Sequence, residues 1–276
     1  MIDIIINGCN GTMGQVVAQA ALSDPEVNVV AGIDALPQAK DNPFPTYDSL
    51  DECSIDCDVV VDFSRHDAVV PLLSVAAEKD IPVVVATTGL SEDDMSFLEE
   101  KSHTIPIFLA SNMSLGVNLM YDLVAQSAGV LSDDFDIEII EKHHNKKIDS
   151  PSGTAYTIAN TINDALAKGK HFTYGRHSKD DRRSKDEIGI HSIRGGTIVG
   201  EHSVLFAGTD ELLEIKHVAY SKQIFAVGAL KAAKFLATVK EPNIYDMTDM
   251  LAHQSQVTNV YTNRDVAMIT LNSLPN

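Results

Sequence analysis

The stretch that decides the fold is IDIIINGCNGTMG, residues 2–14. Ile2 to Ile6 form a short apolar run rich in β-branched residues, which is typical of a strand buried on both faces. The run leads into a turn with glycines at positions 8, 11 and 14, and a helical pattern follows from Gln15 to Leu22. This order predicts a strand, a tight turn and a helix whose first N–H groups can face an anion.

A second predicted strand, from Val27 to Ile33, ends at Asp34, which follows Gly14 by twenty residues. That spacing is close to the one expected for the acid that binds the adenosine ribose in a dinucleotide-binding unit. The glycines are spaced Gly-x-x-Gly-x-x-Gly rather than Gly-x-Gly-x-x-Gly, so they are not specific on their own. Within the order strand, turn, helix, strand and acid they predict a Rossmann-type unit.

Three further apolar runs alternate with helical stretches up to residue 114, at residues 58–63, 81–86 and 105–109. This alternation predicts an α/β fold with a doubly wound parallel sheet, in which ligands bind at the carboxyl ends of the strands. We therefore expect the loops after the strands to line one crevice, at residues 8–14, 62–64, 86–89 and 110–114.

The pattern changes after Gly116. Helices are predicted at 117–131 and 154–168, an alternating strand at 136–141, and long strands at 187–193, 197–206 and 211–219, the last two forming a hairpin. The polar segment 171–186 is predicted to be an excursion or the edge of a lobe. These patterns predict an inserted α+β unit on a mixed, open sheet, followed by an amphipathic helix at 223–236 and a tail.

The segment EKHHNKKIDSPSGTA, residues 141–155, is a basic cluster in a very acidic chain. The 276 residues contain 21 Lys and Arg against 39 Asp and Glu, a formal charge of -18, yet residues 142–147 hold three lysines and two histidines. Pro-Ser-Gly-Thr then starts a helix that Ser152 or Thr154 can cap. A helix N-terminus beside cations favours a bound carboxylate or phosphate. The alternative is a solvated loop with a chance cluster of charge.

Composition excludes several classes of protein. A charge of -18 argues against nucleic-acid binding, which needs a basic surface. No apolar run approaches the roughly 18 residues of a membrane span, and the N-terminus lacks the basic region of a signal peptide, so we expect a cytoplasmic protein without membrane contact. The three cysteines, at positions 9, 53 and 57, form no Cys-x-x-Cys pair and argue against disulfides and a zinc site. We expect no metal.

Residues 141–155 resemble the signature of the 4-hydroxy-tetrahydrodipicolinate reductases, also called dihydrodipicolinate reductases, of the diaminopimelate route to lysine. Further matching motifs follow in the family's order at residues 8–14, 62–64, 87–89, 112–118 and 194–202. The resemblance implies reduction of 4-hydroxy-tetrahydrodipicolinate to tetrahydrodipicolinate with NADH and/or NADPH. It also implies a homotetramer, with a dinucleotide-binding domain at 1–114 plus 222–276 and a substrate-binding and oligomerisation domain at 115–221.

The resemblance implies roles for individual residues as well. His143 would be the catalytic acid and Lys147 the second catalytic residue. The dicarboxylate substrate would be bound by His144, Ser152, Gly153 and Thr154. The cofactor would be bound by Gly8, Cys9, Asn10, Gly11, Thr12, Met13, Asp34, Ala86, Thr87, Thr88, Ala110, Ser111, Asn112 and Met113.

Three positions depart from the family pattern. Ala86 stands where the family usually has Gly, and we expect it to be tolerated. Ala35 stands where many members carry an Arg for the 2′-phosphate of NADPH. Lys222 also replaces an Arg, so any contact there loses the bidentate guanidinium fork.

Two functions from other classes stay open at this point. A non-catalytic NAD(H)-binding sensor would bind the cofactor without turnover, but it leaves the 141–155 cluster without a purpose. A nicotinamide-dependent aldehyde or semialdehyde dehydrogenase would need a nucleophilic thiol in the second half. All three cysteines precede residue 58, which counts against that function.

Overall fold

Two β-sheets organise the chain, and a computed structural model describes residues 1–257. The first part contains β1 (Ile2–Asn7), α1 (Thr12–Ala21), β2 (Val27–Ile33), β3 (Thr46–Tyr47), β4 (Val59–Asp62), α2 (His66–Glu78), β5 (Val83–Val85), α3 (Glu92–Ser102) and β6 (Ile107–Leu109). The second contains α4 (Leu115–Leu131), β7 (Asp136–His143), α5 (Gly153–Asp164), β8 (His171–Tyr174), β9 (Glu187–Arg194), β10 (Gly200–Ala207) and β11 (Leu212–Ala219). The last elements are α6 (Gln223–Leu236), β12 (Ile244–Tyr245) and α7 (Met247–Val257).

The first sheet has seven strands in the order β12–β6–β5–β4–β1–β2–β3, and every neighbouring pair is parallel. Successive side chains of β1 point to opposite faces, so each face is covered by a different layer of helices. Ile4 packs in the cluster that contains Leu230 of α6, whereas Ile5 packs in the cluster that contains Leu73 of α2. The predicted doubly wound parallel sheet is confirmed.

The turn between β1 and α1 is so tight that side chains at Gly8 and Gly14 would be disfavoured or would clash with the backbone. Gly8 has φ +77°, a conformation that favours glycine. A Cβ on Gly14 would lie 2.1 Å from the carbonyl oxygen of Gly8. The helix consequently begins at Thr12, three residues before the predicted start at Gln15.

The second sheet is mixed, with the order β11–β10–β7–β9–β8. β10 runs antiparallel to β7 and β11, and β7–β9 and β8–β9 are parallel pairs. Helices α4 and α5 contribute Met120, Val124 and Ile158 to the core over this sheet, where Ile137 and Ile139 of β7 are fully buried. The predicted open mixed sheet with two helices is confirmed, as is the β10–β11 hairpin.

Three strands and one helix were not predicted from the sequence: β3, β8, β12 and α7. The polar segment 171–186 includes the edge strand β8, and its Arg176 and Arg183 bind the carboxylate of Glu138 at 2.7 and 2.8 Å. Two-residue strands, β3 and β12, occur in the predicted loop and tail, and α7 follows β12. Strands of two residues are too short to show an alternating pattern. The rest of the predicted tail lies outside the described residues.

The chain crosses between the sheets twice, through residues 110–114 and 220–222. After the second crossing, α6 packs against α1, β4 and β5 of the first sheet. Between residues 1 and 257 no helix is both long and apolar enough to cross a membrane.

Candidate active site

A cavity of about 550 Å³ lies between the strand ends of the first sheet and the second sheet. The first part of the chain contributes Met13 from the first turn of α1 and, from loops that follow strands, Phe63, Ser64, Ala86, Thr87, Thr88, Ser111, Asn112 and Met113. The second part and the start of α6 contribute His143, His144, Lys147, Thr154, Val199, Lys222 and Phe225. The predicted crevice and the basic segment therefore face each other across one cavity.

A second cavity of about 610 Å³ adjoins the first along the same strand ends. Its lining includes Gly8, Gly11 and Asp34 from the first two strand ends. Phe63 and Ser64 lie on the walls of both cavities. The two cavities thus form one path along the carboxyl edge of the parallel sheet, where a dinucleotide binds in folds of this kind.

Backbone hydrogen bonds divide the glycine-rich turn into two parts. The N–H groups of Gly8 and Cys9 donate to the carbonyl of Ile33 at 2.8 and 3.2 Å, and that of Gly11 donates to the carbonyl of Gly8 at 3.0 Å. These groups hold the turn in shape. The first N–H groups of α1, beginning at Thr12, have no carbonyl partner within the helix, so they are the donors available to a phosphate.

Asp34 is fixed at the end of β2 by two backbone donors. Its Oδ2 accepts from Asn10 N–H and its Oδ1 accepts from Leu36 N–H, both at 3.0 Å. Each carboxylate oxygen has a further lone pair and can accept one more hydrogen bond. The predicted ribose-binding carboxylate is therefore held in place on the wall of the second cavity.

The buried hydroxyl of Thr87 on the cavity wall fits a nicotinamide dinucleotide. Asp62 ends β4 and is fully buried, which raises the pKa of its carboxyl group, and its Oδ1 accepts from Asn7 Nδ2 at 2.7 Å. The nearby Thr87 hydroxyl offsets part of that rise. Even so, neither Asp62 Oδ2 nor Thr87 Oγ1 completes a hydrogen bond within residues 1–257. Thr87 lines the cavity, so its hydroxyl has capacity for a polar group of the nicotinamide end.

Only some of the basic side chains of residues 142–147 line the cavity. Lys147 lines the wall and pairs with Asp149 at 2.9 Å. His144 also lines it, and its buried Nδ1 has no hydrogen-bond partner within the described part of the chain. Thr154 Oγ1 accepts from Asn112 Nδ2 at 3.3 Å across the two halves. Lys142 pairs with Glu201 at 3.0 Å instead.

Ser152 is the N-cap of α5. Its Oγ accepts from the N–H of Ala155 at 3.2 Å and contacts Nε2 of His202 at 3.1 Å, and its own N–H donates to Glu141 Oε1 at 3.1 Å. The hydroxyl and the N–H of Ser152 thus already have protein partners. Its observed role is to start the helix, and its direct contact with substrate stays a prediction.

The groups behind His143 lie in the matching segments 141–155 and 194–202, but the sequence assigned them no role. Glu141 is fully buried; its Oε2 lies 2.6 Å from His143 Nδ1, and Arg194 donates to both its oxygens at 2.7 Å. Burial alone would raise the pKa of Glu141, but the bonds from His143 and Arg194 outweigh burial and hold that pKa well below its usual range. Burial, together with the neighbouring His143, lowers the pKa of His202 to about 4. The alternating pattern of β7 could have indicated that Glu141 contacts His143, because side chains two residues apart on a strand lie on the same face.

The cysteines do not provide a nucleophile. Burial raises the pKa of Cys9 to about 11 and that of Cys57 to about 12, so both thiols stay protonated near neutral pH. None of the three is among the residues that line the cavity at His143. Across the described residues 1–257, no group of His, Cys, Asp and Glu could hold a metal ion.

The parallel sheet, the glycine-rich turn, Asp34 and the cavity together define the class of Rossmann-type, NAD(P)H-dependent oxidoreductases. Two family models cover nearly the whole described chain. The one described as dihydrodipicolinate reductase, N-terminus, matches residues 2–113, and the one described as dihydrodipicolinate reductase, C-terminus, matches residues 116–251. The chain belongs to the dihydrodipicolinate reductase family.

Individual relatives agree with this assignment. The chain is 53% identical to the 4-hydroxy-tetrahydrodipicolinate reductase of Caldanaerobacter subterraneus subsp. tengcongensis, over 91% of this chain and 98% of that protein. It is 44% identical to the protein of that name from Clostridium botulinum, with the same coverage. The fold matches the dipicolinate-bound dihydrodipicolinate reductase of Paenisporosarcina sp. TG-14 with a TM-score of 0.76 and 24% identity, over 89% of this chain and 97% of that one.

Proposed function

We propose that this chain reduces 4-hydroxy-tetrahydrodipicolinate to tetrahydrodipicolinate with a nicotinamide dinucleotide, in the diaminopimelate route to lysine. The observation that carries the proposal is the 550 Å³ cavity, in which strand-end loops of the dinucleotide-binding sheet face His143, Lys147 and Thr154. The names of the relatives support the same reaction. The test is a coupled assay in which a synthase converts pyruvate and aspartate semialdehyde to the substrate and NADH or NADPH consumption is followed. No consumption with either nucleotide would refute the proposal.

We also propose how the chain is divided. Residues 1–114 plus 222–276 form the dinucleotide-binding domain, of which 258–276 lie outside the described residues. Residues 115–221 form the substrate-binding and oligomerisation domain of a cytoplasmic homotetramer. The separate sheets and the two crossings support the division. Light scattering of the purified protein tests the tetramer.

In the proposed site, residues along the carboxyl edge of the first sheet would hold the cofactor. Gly8, Cys9, Asn10 and Gly11 shape the turn, Thr12 and Met13 would offer N–H groups to the pyrophosphate, and Asp34 would bind the adenosine ribose. The nicotinamide end would be held by Ala86, Thr87, Thr88, Ala110, Ser111, Asn112 and Met113. When bound, the reduced nicotinamide supplies the hydride.

The remaining chemistry belongs to the second part of the chain. His144, which follows β7, and Gly153 and Thr154, at the start of α5, bind a substrate carboxylate, because cations and free N–H groups favour an anion there. Hydride addition to a conjugated imine leaves a carbanion or enamine that needs a proton. His143 donates that proton from Nε2, the ring nitrogen that does not face Glu141, and is left neutral with its remaining proton on Nδ1. Lys147 stabilises the negative charge that develops before protonation.

The cofactor preference follows from the pair Asp34–Ala35. A 2′-phosphate would meet the carboxylate of Asp34, and Ala35 offers no cation. Arg65 lines the same cavity but pairs with Asp67 at 3.1 Å. We expect NADH to be used at least as well as NADPH, and Ala35→Arg to raise the kcat/KM for NADPH relative to NADH by about tenfold, or ~1.4 kcal/mol. Steady-state kinetics with both nucleotides measure this. A tenfold preference of the unmodified enzyme for NADPH would contradict it.

A flat dicarboxylate should bind at the start of α5. We expect pyridine-2,6-dicarboxylate to compete with substrate, and Thr154→Val to weaken it by about 10- to 100-fold, because a charge-assisted hydrogen bond contributes roughly 1.5–3 kcal/mol. The KM for substrate should rise with the inhibition constant while NADH affinity stays unchanged. Added salt should weaken the analogue, since exposed charges are screened.

The matched control for that experiment is Thr157→Val, one turn further along α5. Its hydroxyl donates to the carbonyl of Gly153 and is exposed. This variant should bind the analogue like the unmodified protein. Non-competitive inhibition, or no inhibition at millimolar analogue, would remove Gly153 and Thr154 from the substrate site.

A further inference from the structure

Glu141 is a fully buried carboxylate in the second sheet, and it is bound from three directions. His143 Nδ1 lies 2.6 Å from its Oε2. Arg194 of β9 donates to both of its oxygens at 2.7 Å. The N–H of Ser152 donates to Oε1 at 3.1 Å. A carboxylate so placed is ionised and rigid, because every partner can donate to it.

The contact with His143 determines how that ring is presented. Residues 141 and 143 lie two apart on β7, so both side chains are on the same face. When Nδ1 donates to Glu141, Nε2 is the ring nitrogen left for another partner. Nε2 lies beside Gly200 of β10, where an added Cβ would come within 3.1 Å of it. Glu141 thus holds the Nδ1 edge of His143, and the lack of a side chain at position 200 leaves room for the ring at its Nε2 edge.

The contacts on the other side of Glu141 reach the proposed carboxylate site. Ser152 is the residue immediately before α5, so its N–H bond to Glu141 fixes where the helix begins. Arg194 also donates to the carbonyl of Asp149 at 2.6 Å, and Asp149 pairs with Lys147 at 2.9 Å. The ion pair between buried Glu141 and half-buried Arg194 therefore connects the proposed acid, the proposed catalytic lysine and the start of α5.

We propose that Glu141, held by Arg194, is the positioning residue of this site: it fixes the orientation and tautomer of His143 and, through Ser152, the place of the carboxylate-binding helix start. This rests on the proposed function of His143 as the proton donor. Glu141 acts through His143 and Ser152 and is separated from the substrate by them. Its loss should therefore change the rate of proton delivery more than the binding of the cofactor.

The chain offers a matched control on the same strand. Glu138, like Glu141, is a carboxylate bound by arginine and histidine: Arg176 lies at 2.7 Å, Arg183 at 2.8 Å and His191 at 2.7 Å. It lies three residues from Glu141, on the opposite face of the sheet, and is not among the residues that line the cavity. Glu138→Gln thus removes the same charge from the same kind of network away from the site.

The experiment compares Glu141→Gln with Glu138→Gln in the intact protein. We expect Glu141→Gln to lower kcat by tenfold or more and to raise the KM for substrate by a smaller factor, with NADH affinity unchanged. Glu138→Gln should keep kcat within twofold of the unmodified value. The ring nitrogens of His143 are followed by ¹⁵N NMR without substrate. In the unmodified protein the neutral ring should carry its proton on Nδ1, and in Glu141→Gln its nitrogen signals should shift towards a mixture of tautomers.

The NMR measurement on the unmodified protein shows which ring nitrogen of neutral His143 carries the proton. It therefore tests the proposal even if Glu141→Gln does not fold. A neutral His143 protonated on Nε2 would overturn the proposal. So would unchanged ring signals in Glu141→Gln, or an equal loss of kcat in both variants. If the unmodified protein does not reduce the substrate, the proposed function fails, and the NMR result still decides whether Glu141 orients His143.

Discussion

His143→Gln and Lys147→Ala are each expected to lower kcat by about 100-fold or more, the range expected for acid–base and electrostatic groups. Both side chains lie on the wall of the 550 Å³ cavity, opposite the loops after β5 and β6. Gln retains a polar side chain of similar size but cannot deliver a proton. Ala at position 147 removes the cation that would stabilise negative charge on the substrate. Cofactor affinity should barely change, because neither residue belongs to the first sheet.

The measurement combines steady-state kinetics with titration of NADH by fluorescence. Lys146→Ala is the matched control for Lys147→Ala, because Lys146 is exposed and is not among the residues that line the cavity. That variant should keep kcat close to the unmodified value. A His143 or Lys147 variant with nearly normal kcat would exclude the residue from the mechanism. A loss of NADH binding in either variant would show that the substitution disturbed the cofactor site instead.

The first sheet could be predicted because its signals are local. Ile4, Ile5 and Ile6 are buried on both faces, so β1 reads as a continuous apolar run. The glycines that shape the next turn and Asp34 at the end of β2 have a characteristic spacing along the chain. The basic segment 141–155 and its helix start were equally local, and Ser152 does cap α5.

The network behind His143 could not be predicted, because its members come from distant parts of the chain. Glu141, Arg194 and His202 belong to β7, β9 and β10, and only the register of the mixed sheet places them together. In the strand register, His202 of β10 lies opposite Glu141, and Arg194 of β9 lies opposite His143. The edge strand β8 was missed because segment 171–186 is mostly polar. Its charged side chains bind other side chains of the sheet, such as Glu138, rather than forming a core.

The strong acidity of the chain does not extend to the cavity. Lys147, Lys222, His143 and His144 are on its wall, and no acidic residue is among those that line it. Glu141 lies directly behind this wall, but Arg194 neutralises its charge at 2.7 Å. A dianionic substrate would therefore meet positive charge at the site even though the protein carries a net charge of -18.

Gly228→Ala is expected to disturb both the fold and the cofactor site. Gly228 is a buried residue of α6, and a Cβ there would lie 1.7 Å from the carbonyl oxygen of Met113. That oxygen belongs to backbone, so either α6 or the loop at 110–114 must move. Overpacking of this kind costs roughly 1–3 kcal/mol or more. Met113 and Asn112 line the cavity, so displacement of the loop should also weaken NADH binding.

Gly129→Ala is the control, because Gly129 is an exposed helical glycine of α4 whose Cβ would meet no atom within 4 Å. It should stabilise the protein by about 0.4–1 kcal/mol, since alanine loses less backbone entropy on folding. Urea denaturation gives the free energy of unfolding of both variants, and fluorescence titration gives their NADH affinity. If Gly228→Ala were as stable as the unmodified protein and bound NADH normally, α6 could yield at Met113 without disturbing the cavity. The expected result is opposite signs for the two substitutions, because only Gly228 has the backbone of a binding loop where its side chain would be.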